Sequence, residues 1–503
     1  MSAVAQTYES LSANARELLG DPVNLIDGTW EAGEADYAVD SINPATGEQI
    51  TRVQAASVEQ TERAVAAARR AFDRGPWPAT RPAERAELLL ELARLMDRHR
   101  AELAEIVVTE VGCPITLTRA MQVGMPIDNI AWSAERARRG PQGGYEQALT
   151  PHLGTPPSMS MLVREPVGVV GAITGYNFPL NSVVWKLGPG LAAGCTLVIK
   201  PSERTPLSSI ALVRLAERAG FPKGTVNLVF GGPEVGGVLC TDPDVDMVMF
   251  TGSLSVGRKI MLAAASTTKR LVLELGGKSA NLVLPDASID EIVGPSILRW
   301  VRNAGQGCGA TTRTFVPRAE YDRFAAASEE FLASVAVGDP RDESTAVGPL
   351  IREEQRRFVE GFLERALDSG ATLVAGGGRP DAFPDGFYLN PAIVGNVGND
   401  AEICREELFG PVGTILPYNT LEDAIDMAND SQYGLHAAVW GPITEALAAS
   451  RRLRTGSVSI NGGGWMRPEG PWGGYKQSGF GREMGEDGYR EFFQVKHVQW
   501  PLR

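Results

Sequence analysis

Between residues 166 and 284 the chain alternates short apolar runs with segments of helical periodicity. The apolar runs are typical of buried strands and read PVGVVGAIT, CTLVIK, TVNLVF, MVMF, KRLVLEL and ANLVLP. The helix-like runs lie around 185–193, 206–219, 233–240 and 255–265. This alternation predicts an α/β fold with a doubly wound parallel sheet. Such sheets bind ligands, often nucleotides, at the carboxyl ends of their strands.

The region before this sheet predicts two amphipathic helices. One begins at Ser57, where Gln60 completes a capping-box pattern, and the other begins near Pro82. Short strands are expected around NLIDGTW and the turn-rich SINPATGE. Residues 1–20 are expected to be only loosely attached.

A second α/β stretch occupies roughly 285–470. It includes a helix that leads to Cys308, an amphipathic run at 351–368, and the strand-like FYLNPAIV and AAVWG. Residues 141–158 are rich in Pro, Gly and polar residues, which indicates an extended arm that leaves the globule. The C-terminal FFQVKHVQW alternates apolar and polar positions, so we expect a strand that pairs with this arm or with a neighbouring subunit.

Length and charge narrow the possible functions. The 503 residues predict two or more domains, and 43% hydrophobic with 22% charged residues is typical of a soluble globular protein. The net charge of -13 argues against nucleic acid or an anionic membrane as a partner. No apolar stretch is long enough to span a bilayer, and the N-terminus lacks a signal pattern, so we expect a cytoplasmic protein.

The cysteines and histidines are few and scattered. Five cysteines without a pairing pattern fit a reducing compartment, and four dispersed histidines without HExxH make zinc catalysis improbable. No metal site is therefore expected.

Cys308 lies in RNAGQGCGA, where three glycines surround it. Glycine lets a substrate approach closely, and a nearby cation or helix terminus would lower the thiol pKa toward neutrality. We interpret Cys308 as a catalytic nucleophile; the alternative is a buried small hydrophobe.

Two polar residues follow predicted strands and are candidates for catalysis beside Cys308. Glu274 ends the apolar strand of LELGGKS, where a dry environment would raise its pKa and suit a general base. Asn177, in GYNFPL, could donate its amide to an oxyanion. The alternatives are a salt-bridged or helix-capping glutamate and a plain turn asparagine.

A dinucleotide site is indicated without the usual GxGxxG fingerprint. Lys200 and Glu203, in KPSE, follow a strand, and a glutamate there can accept ribose hydroxyls and repel a 2′-phosphate. Gly252 and Ser253, in FTGS, open a helix whose amides suit a pyrophosphate. The sequence EELFGP adds two further candidates for a second ribose and its ring, Glu407 and Phe409. The alternatives are plain solvated loops for KPSE and FTGS and a core aromatic residue for Phe409.

Seven motifs in order, YNFP, KPSE, FTGS, LELGGKS, GQGC, EELFGP and GGYKQSGFGRE, resemble the NAD(P)-dependent aldehyde dehydrogenase superfamily, of the hydrolytic, non-acylating type. The resemblance covers nearly the whole chain and implies a Rossmann-like cofactor domain, an α/β catalytic domain and a β oligomerisation arm. The implied boundaries are 1–140 and 159–276 for NAD binding, 277–472 for catalysis, and 141–158 and 473–503 for the arm. A homodimer or homotetramer is implied.

The same resemblance assigns roles and a reaction. Cys308 matches the nucleophile, Glu274 the general base and Asn177 the oxyanion donor that acts with the N–H of Cys308. The match also implies cofactor contacts at Lys200, Glu203, Gly252, Ser253, Glu407 and Phe409, with Glu203 favouring NAD. The thiolate attacks an aldehyde, a hydride passes to the nicotinamide, and water activated by Glu274 hydrolyses the thioester to a carboxylic acid.

The substrate is expected to be an apolar aliphatic or aromatic aldehyde. Phe178, Trp185 and Trp472 match an aromatic box that lines the aldehyde tunnel of many relatives, and the loop 462–471 adds Trp465 at its mouth. Arg302 resembles a residue of succinic-semialdehyde enzymes, although Trp185 stands where those enzymes commonly have a second arginine. A semialdehyde-specific enzyme, a CoA-acylating enzyme and a non-catalytic binding protein are the alternatives. The presence of Cys308 and Glu274 argues against loss of catalysis.

Overall fold

The structure, a computed structural model, describes residues 8–463 and 466–502, so the predicted role of Trp465 lies outside the described residues. The strands, numbered in chain order, are β1 (Asn24–Ile26), β2 (Thr29–Glu31), β3 (Ala38–Ile42), β4 (Gln49–Gln54), β5 (Glu146–Ala148), β6 (Ser158–Pro166), β7 (Val169–Ile173), β8 (Thr196–Lys200), β9 (Val226–Leu228), β10 (Met247–Thr251), β11 (Arg270–Glu274), β12 (Ala280–Val283), β13 (Arg313–Pro317), β14 (Thr372–Gly376), β15 (Ala392–Gly395), β16 (Val412–Tyr418), β17 (Tyr433–Gly434), β18 (His436–Trp440), β19 (Ser457–Ile460), β20 (Tyr475–Lys476), β21 (Gly479–Phe480) and β22 (Phe493–Pro501).

Helices connect most of these strands. The α-helices are α1 (Ala13–Leu19), α2 (Val58–Asp73), α3 (Pro82–Arg98), α4 (Arg100–Val111), α5 (Ile115–Leu117), α6 (Met125–Arg139), α7 (Pro179–Ala193), α8 (Leu207–Ala219), α9 (Pro233–Thr241), α10 (Leu254–Ala264), α11 (Ile289–Val301), α12 (Tyr321–Ala333), α13 (Glu353–Asp368), α14 (Glu402–Arg405), α15 (Leu421–Asn429), α16 (Ile443–Ser450) and α17 (Gly485–Arg490). A π-helical turn covers Thr118–Gly124, and 3₁₀ turns cover Ala265–Thr267, Arg302–Gly305 and Arg318–Glu320.

The first sheet has the strand order β2-β1-β9-β8-β7-β10-β11-β21. Strands β9, β8, β7, β10 and β11 are parallel, which confirms the predicted doubly wound sheet. Alternate side chains of β8 enter two different apolar cores, Leu197 and Ile199 on one face and Val198 on the other. Both faces are therefore covered by helices, which explains why these strands read as continuous apolar runs.

The second sheet has the order β14-β15-β16-β13-β12-β18-β19 and is parallel except for the β14–β15 pair. Strand β12 corresponds to ANLVLP, which the sequence analysis grouped with the first run of strands. It pairs instead with β13 and β18, after the irregular segment 275–279 has carried the chain from the end of β11 into the second sheet.

Loops of the second sheet lie at the carboxyl ends of the first sheet's strands. Strands β7, β8, β10 and β11 present their carboxyl ends toward the segments that precede β12, β13 and β16. The main-chain oxygen of Cys308, which precedes β13, contacts Gly277, and the Glu407 carboxyl, which precedes β16, contacts Gly276. The crevice predicted at the strand ends is thus closed by loops of the second sheet.

A third sheet has the order β22-β6-β5 and is antiparallel. The C-terminal strand pairs with β6 of its own chain along its whole length, from Phe493 opposite Pro166 to Pro501 opposite Ser158. Strand β6 thus continues the 141–158 arm into the segment assigned to NAD binding, whereas β21 of the C-terminal segment joins the first sheet. Among the helices within 8–463 and 466–502, none is long and apolar enough to cross a membrane.

The N-terminal region follows the helix predictions but differs at its start. The capping box is present, since the side chains of Ser57 and Gln60 each accept from the other's main-chain N–H. The expectation that residues 1–20 are loosely attached is wrong for residues 8–20. Helix α1 buries Ala15, Leu18 and Leu19 in the large core, because its apolar face packs on α4 and α8.

Candidate active site

The segment that carries Cys308 is sharply bent. Asn303 and Ala304 have φ of 51° and 52°, and Gly305 has φ of 72°. A non-glycine residue in this left-handed region costs about 1–2 kcal/mol, and a side chain at Gly305 would collide with the main chain of Gly410. The bend ends α11 and turns the chain back, so that Cys308 emerges just before β13.

Asn177 lies next to the Cys308 loop. It follows β7 by four residues and donates from Nδ2 to the main-chain oxygen of Gln306, at 2.9 Å. Gln306 is itself fixed, because its Oε1 accepts from the main-chain N–H of Ile351 at 2.9 Å. A buried asparagine amide thus contacts the loop two residues before the candidate nucleophile.

The surroundings of the Cys308 thiol differ from the sequence expectation. Burial raises the pKa of the thiol, and the charges of Glu407 and Glu274 raise it further, while a hydrogen bond from the Gly309 N–H opposes them. The charges that act on the thiol are negative, so the lowering that a nearby cation or helix terminus would cause is not found among the described residues. The charged neighbours are carboxylates because the ends of β11 and the loop before β16 converge on the thiol.

Glu274 ends β11 and is buried, and both of its carboxylate oxygens lack a hydrogen-bond partner among the described residues. Burial raises its pKa well above the usual range and the charge of Glu483 raises it further, whereas Lys186 and Arg482 oppose the rise. Lys186 Nζ lies 2.6 Å from Glu483 Oε1, and both side chains are almost fully buried. The sequence analysis missed Lys186 and Glu483, although Glu483 ends the GGYKQSGFGRE motif.

A cavity of about 660 Å³ extends from Cys308 along the strand ends of the first sheet. It brings together all nine residues that the sequence analysis assigned to catalysis and cofactor binding: Asn177, Lys200, Glu203, Gly252, Ser253, Glu274, Cys308, Glu407 and Phe409. Lys200 Nζ donates to Glu203 Oε1 at 2.9 Å at one end. Ser253 is the N-cap of α10, which directs the free N–H groups of that helix toward the cavity.

Glu407 and Phe409 line the cavity near Cys308. Glu407 Oε1 accepts from the main-chain N–H of Gly277 at 3.0 Å, and burial raises the pKa of Glu407 to about 7. Phe409 has φ of 53°, and Gln355 Nε2 donates to the main-chain oxygens of Leu408 and Phe409, at 2.8 and 3.1 Å. Gln355, which the sequence analysis did not single out, thus helps to hold this turn.

The other side of Cys308 is apolar. Trp185, Met466 and Cys308 pack against Leu435, Trp472 and Met484, so two of the three predicted aromatic residues lie in the same apolar cluster as Cys308. Phe178 is half-buried at the residue before α7, and Arg302 is half-buried six residues before Cys308. Neither is among the described residues that line the large cavity.

No group of three or more His, Cys, Asp or Glu in the described ranges is arranged to hold a metal ion. The five cysteines are free, and Cys308 is the half-buried one, whereas Cys113, Cys195, Cys240 and Cys404 are buried. Burial raises the pKa of each of these four thiols as well, so exposure rather than acidity distinguishes Cys308.

The chain is similar to known proteins over nearly its whole length. The sequence profile described as "Aldehyde dehydrogenase family" matches residues 30–498. Betaine aldehyde dehydrogenase of Bacillus subtilis is 41% identical over 479 residues, which are 94% of this chain and 96% of that protein. The 3-succinoylsemialdehyde-pyridine dehydrogenase of a Pseudomonas species is 40% identical over 477 residues, 94% and 97% of the two chains. A crystal structure of aldehyde dehydrogenase C from Pseudomonas syringae with NAD+ and octanal superposes with a TM-score of 0.91, at 37% identity and 97% coverage of both chains.

Proposed function

The chain belongs to the aldehyde dehydrogenase family, and we propose that it oxidises an apolar aliphatic or aromatic aldehyde to its carboxylic acid with NAD. The observation that carries the proposal is the position of Cys308. Its thiol lies between a large cavity lined by the candidate cofactor residues and an apolar cluster that includes Trp185 and Trp472. A substrate carbonyl at the thiol would have its chain among apolar side chains, which suits an uncharged aldehyde.

The residues that line the cavity fit NAD. Lys200 and Glu203 lie at a strand end where they would hold the adenosine ribose, and the Glu203 side chain would repel a 2′-phosphate. The N-terminus of α10 at Ser253 suits a diphosphate, while Glu407 and Phe409 would hold the nicotinamide riboside. When bound, NAD supplies the oxidant that accepts the hydride of the aldehyde.

Acylation would begin with attack of the Cys308 thiolate on the aldehyde carbon, which forms a C–S bond and a tetrahedral oxyanion. The Asn177 amide and the main-chain N–H of Cys308 are the proposed donors to that oxyanion. The thiolate is the nucleophile, so Cys308 must lose its proton before it attacks, and its raised pKa makes that loss harder. The neighbouring carboxylates are groups that could accept the proton.

Deacylation of the resulting thioester requires an activated water. Glu274 supplies a buried carboxylate with no hydrogen-bond partner among the described residues, and its raised pKa makes it a stronger base than an ordinary glutamate. Its presence favours hydrolysis over transfer of the acyl group to coenzyme A. We assign Glu483 and Lys186 a supporting role, since their charges set the pKa of Glu274 in opposite directions.

The arm fits the proposal that the enzyme is a homodimer or homotetramer. Strand β22 exposes Val495, Val498 and Trp500, by 61%, 37% and 41% respectively. Apolar side chains on an exposed edge strand favour pairing with a second copy. We propose that 1–140 and 159–276 bind NAD, 277–472 carry catalysis, and 141–158 and 473–503 serve assembly, although β6 and β21 cross these boundaries.

A semialdehyde dehydrogenase is the second candidate, and Arg302 is the observation that favours it. Arg299 lies one helical turn before Arg302, and its Nη2 contacts His436 Nε2 at 3.0 Å, beside Trp472. Burial and the charge of Arg299 lower the pKa of His436 to about 3, so the ring is a neutral acceptor. Arg302 is close enough to Arg299 for its charge to lower the pKa of Arg299. The two guanidinium groups would bind the carboxylate of succinic semialdehyde, the substrate in the name of a rice relative, succinate-semialdehyde dehydrogenase, which is 38% identical over 476 residues.

NADH formation across a panel of aldehydes tests the proposal. The panel runs from short to long aliphatic aldehydes, through benzaldehydes, to succinic semialdehyde, with NAD and NADP in parallel. Highest kcat/KM with long aliphatic or aromatic aldehydes supports the proposal, and highest kcat/KM with succinic semialdehyde contradicts the substrate class and favours the second candidate. Turnover only after coenzyme A is added contradicts the hydrolytic reaction.

A further inference from the structure

Two arginines, Arg204 and Arg352, come together in the wall of the large cavity. Arg204 follows Glu203 in the loop after β8, and Arg352 is the residue that precedes α13. Both line the cavity. They are close enough for the charge of Arg352 to lower the pKa of Arg204, in addition to the effect of burial. The two positive charges repel each other, and an anion bound between them would relieve that repulsion.

Each arginine has a buried N–H group without a partner. Arg204 Nη1 and Arg352 Nε make no hydrogen bond to any described residue. The carboxylate near Arg352 belongs to Glu354, whose Oε2 is 3.9 Å from Arg352 Nε, beyond hydrogen-bond distance. A buried donor without an acceptor costs free energy, and an anionic ligand in the cavity would supply the acceptor.

The position of Arg204 indicates which part of a bound dinucleotide would contact the two arginines. On one side its neighbour Glu203 marks the adenosine end of the cavity. On the other side its guanidinium lies 5.8 Å from the ring of Tyr176, which packs edge-to-face on Phe409 with 5.8 Å between ring centroids. In a dinucleotide bound between Glu203 and Phe409, the diphosphate is the central part. It would therefore lie next to Arg204.

We propose that Arg204 and Arg352 form a diphosphate clamp in the cofactor cavity. Arg204, which lies over the Tyr176 ring, and Arg352, at the start of α13, bind the diphosphate oxygens together with the N-terminus of α10 at Ser253. The inference rests on the proposed use of NAD. The 2′-phosphate of NADP is the other possible phosphate, but it would lie next to the Glu203 carboxylate, which repels it.

Calorimetric binding to the variants Arg204→Gln, Arg352→Gln and the double variant tests this clamp without turnover. The probes are NAD, ADP and adenosine, because ADP retains the diphosphate and adenosine retains only the nucleoside held by Glu203. Arg357→Gln is the matched control, since Arg357 lies in α13 near Arg352 but pairs with Glu353 and is exposed. Each charge-assisted contact is expected to be worth about tenfold in affinity.

The clamp predicts that each single variant binds NAD and ADP about tenfold more weakly than the wild type, while adenosine affinity and the control change by less than about twofold. The NAD affinity of the double variant should also fall less steeply with salt. Unchanged NAD affinity in the double variant would overturn the inference, as would an equal loss for adenosine. A loss confined to NADP would place the arginines at the 2′-phosphate instead. If the wild type itself binds no NAD, the proposed function is wrong. That result is distinct from a failure of the clamp, which concerns only the variants.

Discussion

The Asn177 side chain donates to the main-chain oxygen of Gln306 at 2.9 Å, two residues before Cys308. An asparagine amide carries two N–H donors, so this bond leaves one donor free to bind an oxyanion formed at the cysteine. The bond connects the loop after β7 to the loop before β13, and so couples the first sheet to the second at the candidate nucleophile. Asn177 can therefore orient the Cys308 loop and also stabilise the oxyanion.

Substitution of Asn177 separates these roles from general packing. We expect Asn177→Ala to lower the single-turnover rate of acylation by about 10²–10³ through loss of an oxyanion donor. Asn129→Ala is the control, because Asn129 is also buried and its Nδ2 donates to a main-chain oxygen, Met125 O, at 2.9 Å. Equal rates for the two variants would show that Asn177 acts only as a buried polar residue.

Replacement of Glu274 should stall the enzyme after acylation. Glu274→Gln keeps the size of the side chain but cannot accept a proton, so deacylation should slow by about 10²–10⁴. The expected signature is a rapid burst of about one NADH per active site and then a slow steady rate. If steady-state turnover stays at the wild-type value, another residue must activate the water.

The pH dependence of deacylation should follow the charges around Glu274. The carboxylate form is the active one, and its raised pKa places the rising limb of the rate profile at more alkaline pH than for an ordinary glutamate. Glu483→Gln removes a negative neighbour, so the pKa of Glu274 falls and the limb should move to lower pH. Lys186→Met removes a positive neighbour, and the limb should move to higher pH. Shifts of the same sign in both variants, measured in single-turnover deacylation, would contradict this electrostatic account.

Glu203 should set the preference for NAD over NADP. Glu203→Ser removes the carboxylate that would repel a 2′-phosphate, and the kcat/KM ratio of NAD to NADP should fall by about tenfold or more. Glu422→Ser is a suitable control, because it removes an exposed glutamate that is not among the described residues lining the cavity. The assignment is wrong if the cofactor ratio is unchanged in Glu203→Ser.

Local patterns predicted those parts of the fold that depend on neighbours in sequence. The capping box at Ser57 and the buried strand at 196–200 carry their signal in a few adjacent residues. The start of α7 was predicted six residues too late: the helical run was expected from 185, whereas the helix begins at Pro179. The arm strand β6 was also longer than its composition suggested, since its pairing with β22 extends it to Pro166.

The residues near the candidate site that sequence reasoning missed come together through contacts between distant segments. Lys186 lies in an apolar helix and Glu483 in a glycine-rich tail, and neither position signals that the two side chains meet 2.6 Å apart behind Glu274. The direction of the Cys308 pKa was missed for the same reason, because its charged neighbours come from residues 34 and 99 positions away. Motifs predict which residues converge, but charge effects depend on the final distances.

The most direct test of the account is to find where the acyl group is attached. Glu274→Gln is incubated with NAD and a long aliphatic aldehyde, quenched in acid, and its peptides are mapped by mass spectrometry, with the Cys308→Ala/Glu274→Gln double variant in parallel. The account predicts an acyl adduct on Cys308, no adduct in the double variant, and NAD affinity in the double variant within about twofold of the single variant. An adduct on Cys113, Cys195, Cys240 or Cys404, or NADH formation by Cys308→Ala, would contradict it.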